Sequence, residues 1–65
     1  MRVSNIQFFC FVYDKREPYK ILKSRAFVSE QAKNKWCNSQ YKNNDYIIVE
    51  VYNGLTDRLI ETWSA

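Results

Sequence analysis

Ile6-Gln7-Phe8-Phe9-Cys10-Phe11-Val12-Tyr13 is the most apolar run of the chain, and it is too short to span a bilayer. It reads as a strand. Side chains alternate along a strand, so Ile6, Phe8, Cys10 and Val12 share one side, and Gln7, Phe9, Phe11 and Tyr13 share the other. Both sides carry apolar groups that want cover, which predicts a central strand. A chain of 65 residues can cover one sheet face with a helix but hardly two, so the second face is expected to stay open as an aromatic, adhesive surface.

Downstream of that strand, the polar stretch 14–18 with Pro18 predicts a turn, and residues 19–28 predict a second strand. Uniform alternation puts Leu22, Ser24, Ala26 and Val28 on the core side and Tyr19, Ile21, Lys23 and Arg25 outside. The Lys and Arg content suits an edge strand, where charge discourages wrong pairing. Ser29 is a natural N-cap, followed by Glu30 where the helix dipole favours an acid, so a helix is expected over residues 30–42. Its apolar arc is thin: Ala32 and Trp36 lie on one stripe with Cys37 and Tyr41 beside it, interrupted by Lys33 and Gln40. Trp36 is the expected anchor of the helix on the sheet, because one indole can bury more area than the rest of the stripe. Asn43-Asn44-Asp45 should end the helix.

The remaining residues predict a second hairpin. Tyr46 to Tyr52 and Arg58 to Trp63 flank Asn53-Gly54, a strong short-range hairpin signal. Ile47, Val49 and Val51 form a β-branched core set, with Tyr46, Ile48, Glu50 and Tyr52 opposite. A two-residue Asn53-Gly54 loop, or a four-residue loop ending at Thr56, puts Ile60 on the core side and Leu59, Glu61 and Trp63 outside. The order strand, strand, helix, strand, strand predicts a single α+β domain over residues 1–65, a two-layer β-β-α-β-β arrangement with one helix on a four-stranded antiparallel sheet. Spatial order 2-1-3-4 makes every neighbouring pair antiparallel. Order 1-2-3-4 ranks second because it needs a parallel crossover.

Composition narrows the function classes. Hydrophobic residues make up 46% and aromatics 17%, with one Gly and one Pro, which argues for a folded domain and against disorder. The net charge of +3 hides a basic middle and an acidic end, but the cations are scattered singly, which is a weak nucleic-acid signal. There is no His, so the commonest general base is missing, and the usual structural zinc sets cannot be assembled from Cys10 and Cys37. The only Gly lies in a hairpin turn, which leaves no phosphate-binding loop. The expectation is therefore a non-enzyme without cofactor or metal. Two buried free thiols are expected rather than a Cys10–Cys37 disulfide, and residues 1–17 do not read as a secretory signal, so a cytoplasmic location is expected.

What remains is the outer sheet face: Phe9, Phe11, Tyr13, Tyr19, Ile21, Lys23, Arg25, Tyr46, Ile48, Tyr52 and Trp63. A contiguous aromatic patch of that extent marks an interaction site. One reading is protein binding, by self-association into a homodimer or on a larger target, with the chain acting as inhibitor or regulator in the manner of phage and mobile-element antitoxins or host-defence inhibitors. The other is single-stranded RNA or DNA binding, with aromatics on bases and Lys15, Arg16, Lys20, Lys23 and Arg25 on phosphates. Glu50 and Glu61 on the same face would repel phosphate, which favours protein.

Overall fold

The computed structural model describes residues 6–42 and 44–64, the side chains of Pro18 and Tyr19 excepted. Four strands and one helix follow in the order β1 (Phe8–Asp14), β2 (Glu17–Phe27), α1 (Glu30–Tyr41), β3 (Ile47–Asn53) and β4 (Leu59–Ser64). The sheet runs β2-β1-β3-β4, and every neighbouring pair is antiparallel. The two strands that are apolar on both sides, β1 and β3, thus lie in the centre, as their composition requires. The helix lies on one face only.

Local chemistry accounts for the element ends. Ser29 takes an extended conformation and its Oγ accepts from the Ala32 backbone N–H at 3.4 Å, capping the helix. The helix stops at Tyr41, whose carbonyl accepts from Asn44 N–H; Asn43, the first residue of the expected stop signal, lies outside the described residues. Between β1 and β2 the turn is tighter than residues 14–18 suggested. Only Lys15 and Arg16 separate the strands, and Pro18 falls inside β2, which an edge strand tolerates because no ladder donor is needed there.

Two irregularities decide which side chains meet the helix. In β2, Val12 pairs with Lys23 but Tyr13 pairs with Ile21, so Leu22 is an extra residue in the ladder. A one-residue slip turns every side chain beyond it to the other face. From Lys23 onward the faces are therefore the reverse of uniform alternation: Lys23, Arg25 and Phe27 point to the helix side opposite Val12, Cys10 and Phe8, while Ser24 and Ala26 point away. Leu22, Ser24, Ala26 and Val28, the expected core set, are all exposed, and Phe27 is buried in their place.

The same device recurs in β4. Val51 pairs with Glu61 and Tyr52 with Leu59, leaving Ile60 as the extra residue. Glu61 and Trp63 therefore face the helix, and Ile60 is exposed, which corrects the expected assignment of all three. The loop sets this register. Asn53 Oδ1 accepts from the N–H groups of Leu55 and Thr56, and Asp57 takes the left-handed φ of 61° that closes the turn against Asn53 O. Gly54 does not supply a positive φ; it lies so close to β1, donating to Gln7 O, that a methyl group there would overlap the Ile6 carbonyl.

The core between sheet and helix consists of Cys10, Val12, Phe27, Cys37, Ile47, Val49 and Val51, with Phe8, Trp36, Tyr41 and Trp63 packed around it. On the helix, the buried positions are Lys33 and Cys37, not the Ala32–Trp36 stripe. Trp36 is half-buried at the flank, its ring 5.5 Å from that of Phe27. Trp36→Ala is accordingly expected to cost about 2 kcal/mol, below the range for a fully buried indole. A urea titration showing a loss above ~4 kcal/mol would make Trp36 the main anchor after all.

Candidate functional site

The face turned away from the helix is built from alternate residues of four strands. Phe9, Phe11 and Tyr13 of β1 oppose Tyr52, Glu50 and Ile48 of β3 on one side, and Ala26, Ser24 and Ile21 of β2 on the other. Leu59, Thr62 and Ser64 of β4 extend the face beyond β3. Six of these positions, Phe9, Phe11, Tyr13, Ile21, Ile48 and Tyr52, belong to the expected site set, and the register brings them onto one face. Tyr46 lies at one end of the sheet, where the Arg16 guanidinium stacks 4.1 Å above its ring.

The rest of the expected set is elsewhere. Lys23 and Arg25 are on the helix side, where Lys23 Nζ approaches Gln40 Oε1 at 3.4 Å and the Arg25 guanidinium lies 5.2 Å from the Phe27 ring centre. Trp63 is also on the helix side, 6.0 Å from Tyr41. The expectation for the Tyr19 side chain lies outside the described residues. Lys23 and Arg25 therefore lie on the face opposite the aromatics of β1 and β3.

The centre of the open face is ordered by Glu50. Its Oε1 accepts from the Tyr52 hydroxyl at 2.9 Å, and Tyr52 in turn packs edge-on against Phe11 at 5.6 Å. The Tyr52 phenol is pushed up chiefly by this hydrogen bond to the carboxylate, and the Tyr13 phenol is pushed up by desolvation and by the charge of Glu50. Beside this cluster, the small side chains of Ser24 and Ala26 leave a hollow that is lined by Phe9, Cys10, Phe11 and Arg25 as well. Phe9, Phe11, Tyr13, Ile48 and Tyr52 are all half-buried by one another, and the single helix lies on the opposite face.

Across the sheet, the helix side carries an ion pair that sequence reasoning missed, with a fully buried ammonium and a carboxylate 33% exposed. Lys33 has 0% exposure, and its Nζ lies 2.7 and 2.6 Å from the two oxygens of Glu61. Trp63 Nε1 donates to Glu61 Oε1 at 2.9 Å, and the rings of Phe8 and Trp63 lie 5.0 and 5.9 Å from the ammonium. Burial pushes the Glu61 carboxyl up, but the hydrogen bonds from Lys33 and Trp63 and the charge of Lys33 outweigh it and hold the group below its ordinary value. The only signal was spacing: Lys33, Cys37 and Tyr41 are i, i+4, i+8 on one face, provided Lys33 is allowed to count as an inward residue.

Cys10 and Cys37 face one another in the same core, with the Cys37 thiol approaching Cys10 Sγ at 3.9 Å. Both are free and fully buried. Burial raises both thiols, Cys37 to about 12, so little thiolate forms near neutral pH. Thiol reagents are expected to label the two only after denaturant opens the core. Rapid stoichiometric labelling of native protein would show that the helix lifts from the sheet readily.

Among the described residues there is no group of three or more His, Cys, Asp or Glu side chains placed to hold a metal ion, and no helix long and apolar enough to cross a membrane. A scan against family models, a search of curated proteins and a search of solved structures each return no match.

Proposed function

We propose that this chain is a non-enzymatic protein-binding module whose open sheet face occupies the surface of a larger protein, as an inhibitor or regulator. The observation that carries the reading is the aromatic face of β1 and β3 that no described element covers, with Phe9, Phe11, Tyr13, Ile48 and Tyr52 contiguous around one carboxylate. Contiguous exposed apolar patches on small proteins mark interaction sites, and aromatic residues dominate interface energetics. Buried reduced thiols suit a cytoplasmic setting. Small size and the lack of a recognisable catalytic motif support reading such a module as one of the antitoxins or host-directed inhibitors that phages and mobile elements carry, and self-association through the same face is the variant in which the partner is a second copy.

The nucleic-acid reading needs aromatics and cations on one surface. Lys23 and Arg25 on the opposite face and Glu50 at the aromatic centre count against it.

Replacing Phe9 and Phe11 together by Ser is expected to leave a cooperative fold, since neither lines the core, and to abolish capture of a protein partner, at roughly 2 kcal/mol or more per aromatic. The measurement is a pull-down from lysate with and without nuclease, alongside titration with labelled single-stranded RNA and DNA at two salt concentrations. Nuclease-resistant capture lost in the double variant supports the proposal. Tight oligonucleotide binding that falls steeply with salt, and that is lost on removing Lys23 and Arg25, would overturn it.

A further inference from the structure

Three carboxylates of the sheet sit among aromatic rings, and two of them are paired with a cation of the chain itself. Asp14 is forked by Arg16, with Nε at 2.9 Å from Oδ1 and Nη2 at 2.7 Å from Oδ2, while the same guanidinium lies over Tyr46. Glu61 holds Lys33 between Phe8 and Trp63. The third, Glu50, is flanked by Phe11 and Tyr52 and oriented by the Tyr52 hydroxyl. No Lys or Arg among the described residues forms an ion pair with it. At the paired strand positions of the open face, Glu50 is the one charged residue.

We propose that Glu50 receives an arginine side chain of the partner protein, laid over Phe11 and Tyr52 in the way Arg16 is laid over Tyr46. The inference rests on the reading of the open face as a protein-docking surface and names the chemistry that surface selects. A glutamate in the middle of a central strand is unfavourable by itself, and its half-buried carboxylate loses hydration without gaining a cation from the described residues. The Tyr52 phenol uses part of its capacity, since a carboxylate offers about four acceptor sites. Arginine fits better than lysine because its planar, weakly hydrated guanidinium stacks on rings and forks on carboxylates at once. The hollow lined by Phe9, Cys10, Phe11, Ser24, Arg25 and Ala26 then takes an adjacent apolar side chain of the same partner segment against its two phenylalanine rings.

The test is selection of a random twelve-residue peptide library displayed on phage against the full chain, followed by titration of synthetic peptides. Enriched sequences are expected to carry Arg next to an apolar residue. Replacing that Arg by citrulline is expected to weaken binding about tenfold or more, by the usual strength of a partly desolvated charged hydrogen bond. Glu50→Gln should cost the same factor, and the two changes together should cost little more than either alone. Citrulline leaves the protein untouched, so the result does not depend on how the variant folds.

Enriched peptides that lack Arg, or a citrulline loss undiminished in Glu50→Gln, would overturn the arginine assignment; if binding still vanishes in the Phe9→Ser/Phe11→Ser variant, the docking face itself stands. No enrichment over that double variant as bait would bring down both. A dimer of the chain that Glu50→Gln dissolves would put a second copy on the face and overturn the assignment to a different protein.

Discussion

Glu61→Ala is expected to lower the unfolding free energy by about 3 kcal/mol or more, because it strands the fully buried ammonium of Lys33 without its counter-charge. Trp63 Nε1 loses its acceptor in the same step. A domain of this size has little more stability than that to lose, so urea and thermal melts should show a largely unfolded variant at ambient temperature. Replacing both partners with apolar residues, Lys33→Met with Glu61→Leu, should recover most of the loss, since desolvation of two charges consumes much of what their attraction returns. A Glu61→Ala variant within 1 kcal/mol of the parent would mean that Lys33 reaches solvent. The pair also sets an acid limit. Glu61 is held below its unfolded value, so its contribution is fully present above an unfolded pKa of about 4.3 and is lost as pH falls through the lower folded one. The contribution of Asp14, held down to about 2 by the hydrogen bonds from Arg16, is lost in the same direction as pH falls.

Phe27→Ala should cost about 3–4 kcal/mol, as expected for emptying a buried aromatic site that Trp36 and Phe8 also pack against. Leu22→Ala and Val28→Ala should each cost under about 1 kcal/mol, since these side chains are 43% and 57% exposed. The contrast tests the extra residue in β2. A register without the slip at Leu22 reverses the ranking, and comparison of the three urea midpoints at constant m-value discriminates between the two arrangements.

Most of the architecture was readable from local pattern. The double-sided apolarity of β1, the Ser29 cap, the β-branched set of β3 and the two turns together predicted a β-β-α-β-β order with spatial arrangement 2-1-3-4, and the fold has it. The aromatic face was readable too where it rests on β1 and β3, because no irregularity interrupts their pairing from Phe8 to Asp14. It failed on the two edge strands for a single reason. Lys23, Arg25, Glu61 and Trp63 were assigned by strict alternation, and one extra residue in each strand, Leu22 and Ile60, turns them over. An edge strand is hydrogen-bonded on one side only, so it accommodates an extra residue at little cost, and which residue bulges depends on what the inner face needs to fill.

The amino-acid sequence by itself thus determined the elements, their spatial order and the central aromatic surface, since these follow from propensity, capping and the burial of strands that are apolar on both sides. Only the tertiary structure decided which cations and which tryptophan face the helix. That choice is made by side chains distant in sequence: Phe27 is buried beside Phe8 and Trp36, and Glu61 takes its counter-charge from Lys33, 28 residues away. A buried lysine looks like an interruption of the helix stripe until its partner on β4 is in place, and Glu50, without an ion pair among the described residues, looks like an ordinary surface acid until the other two carboxylates are seen with their cations.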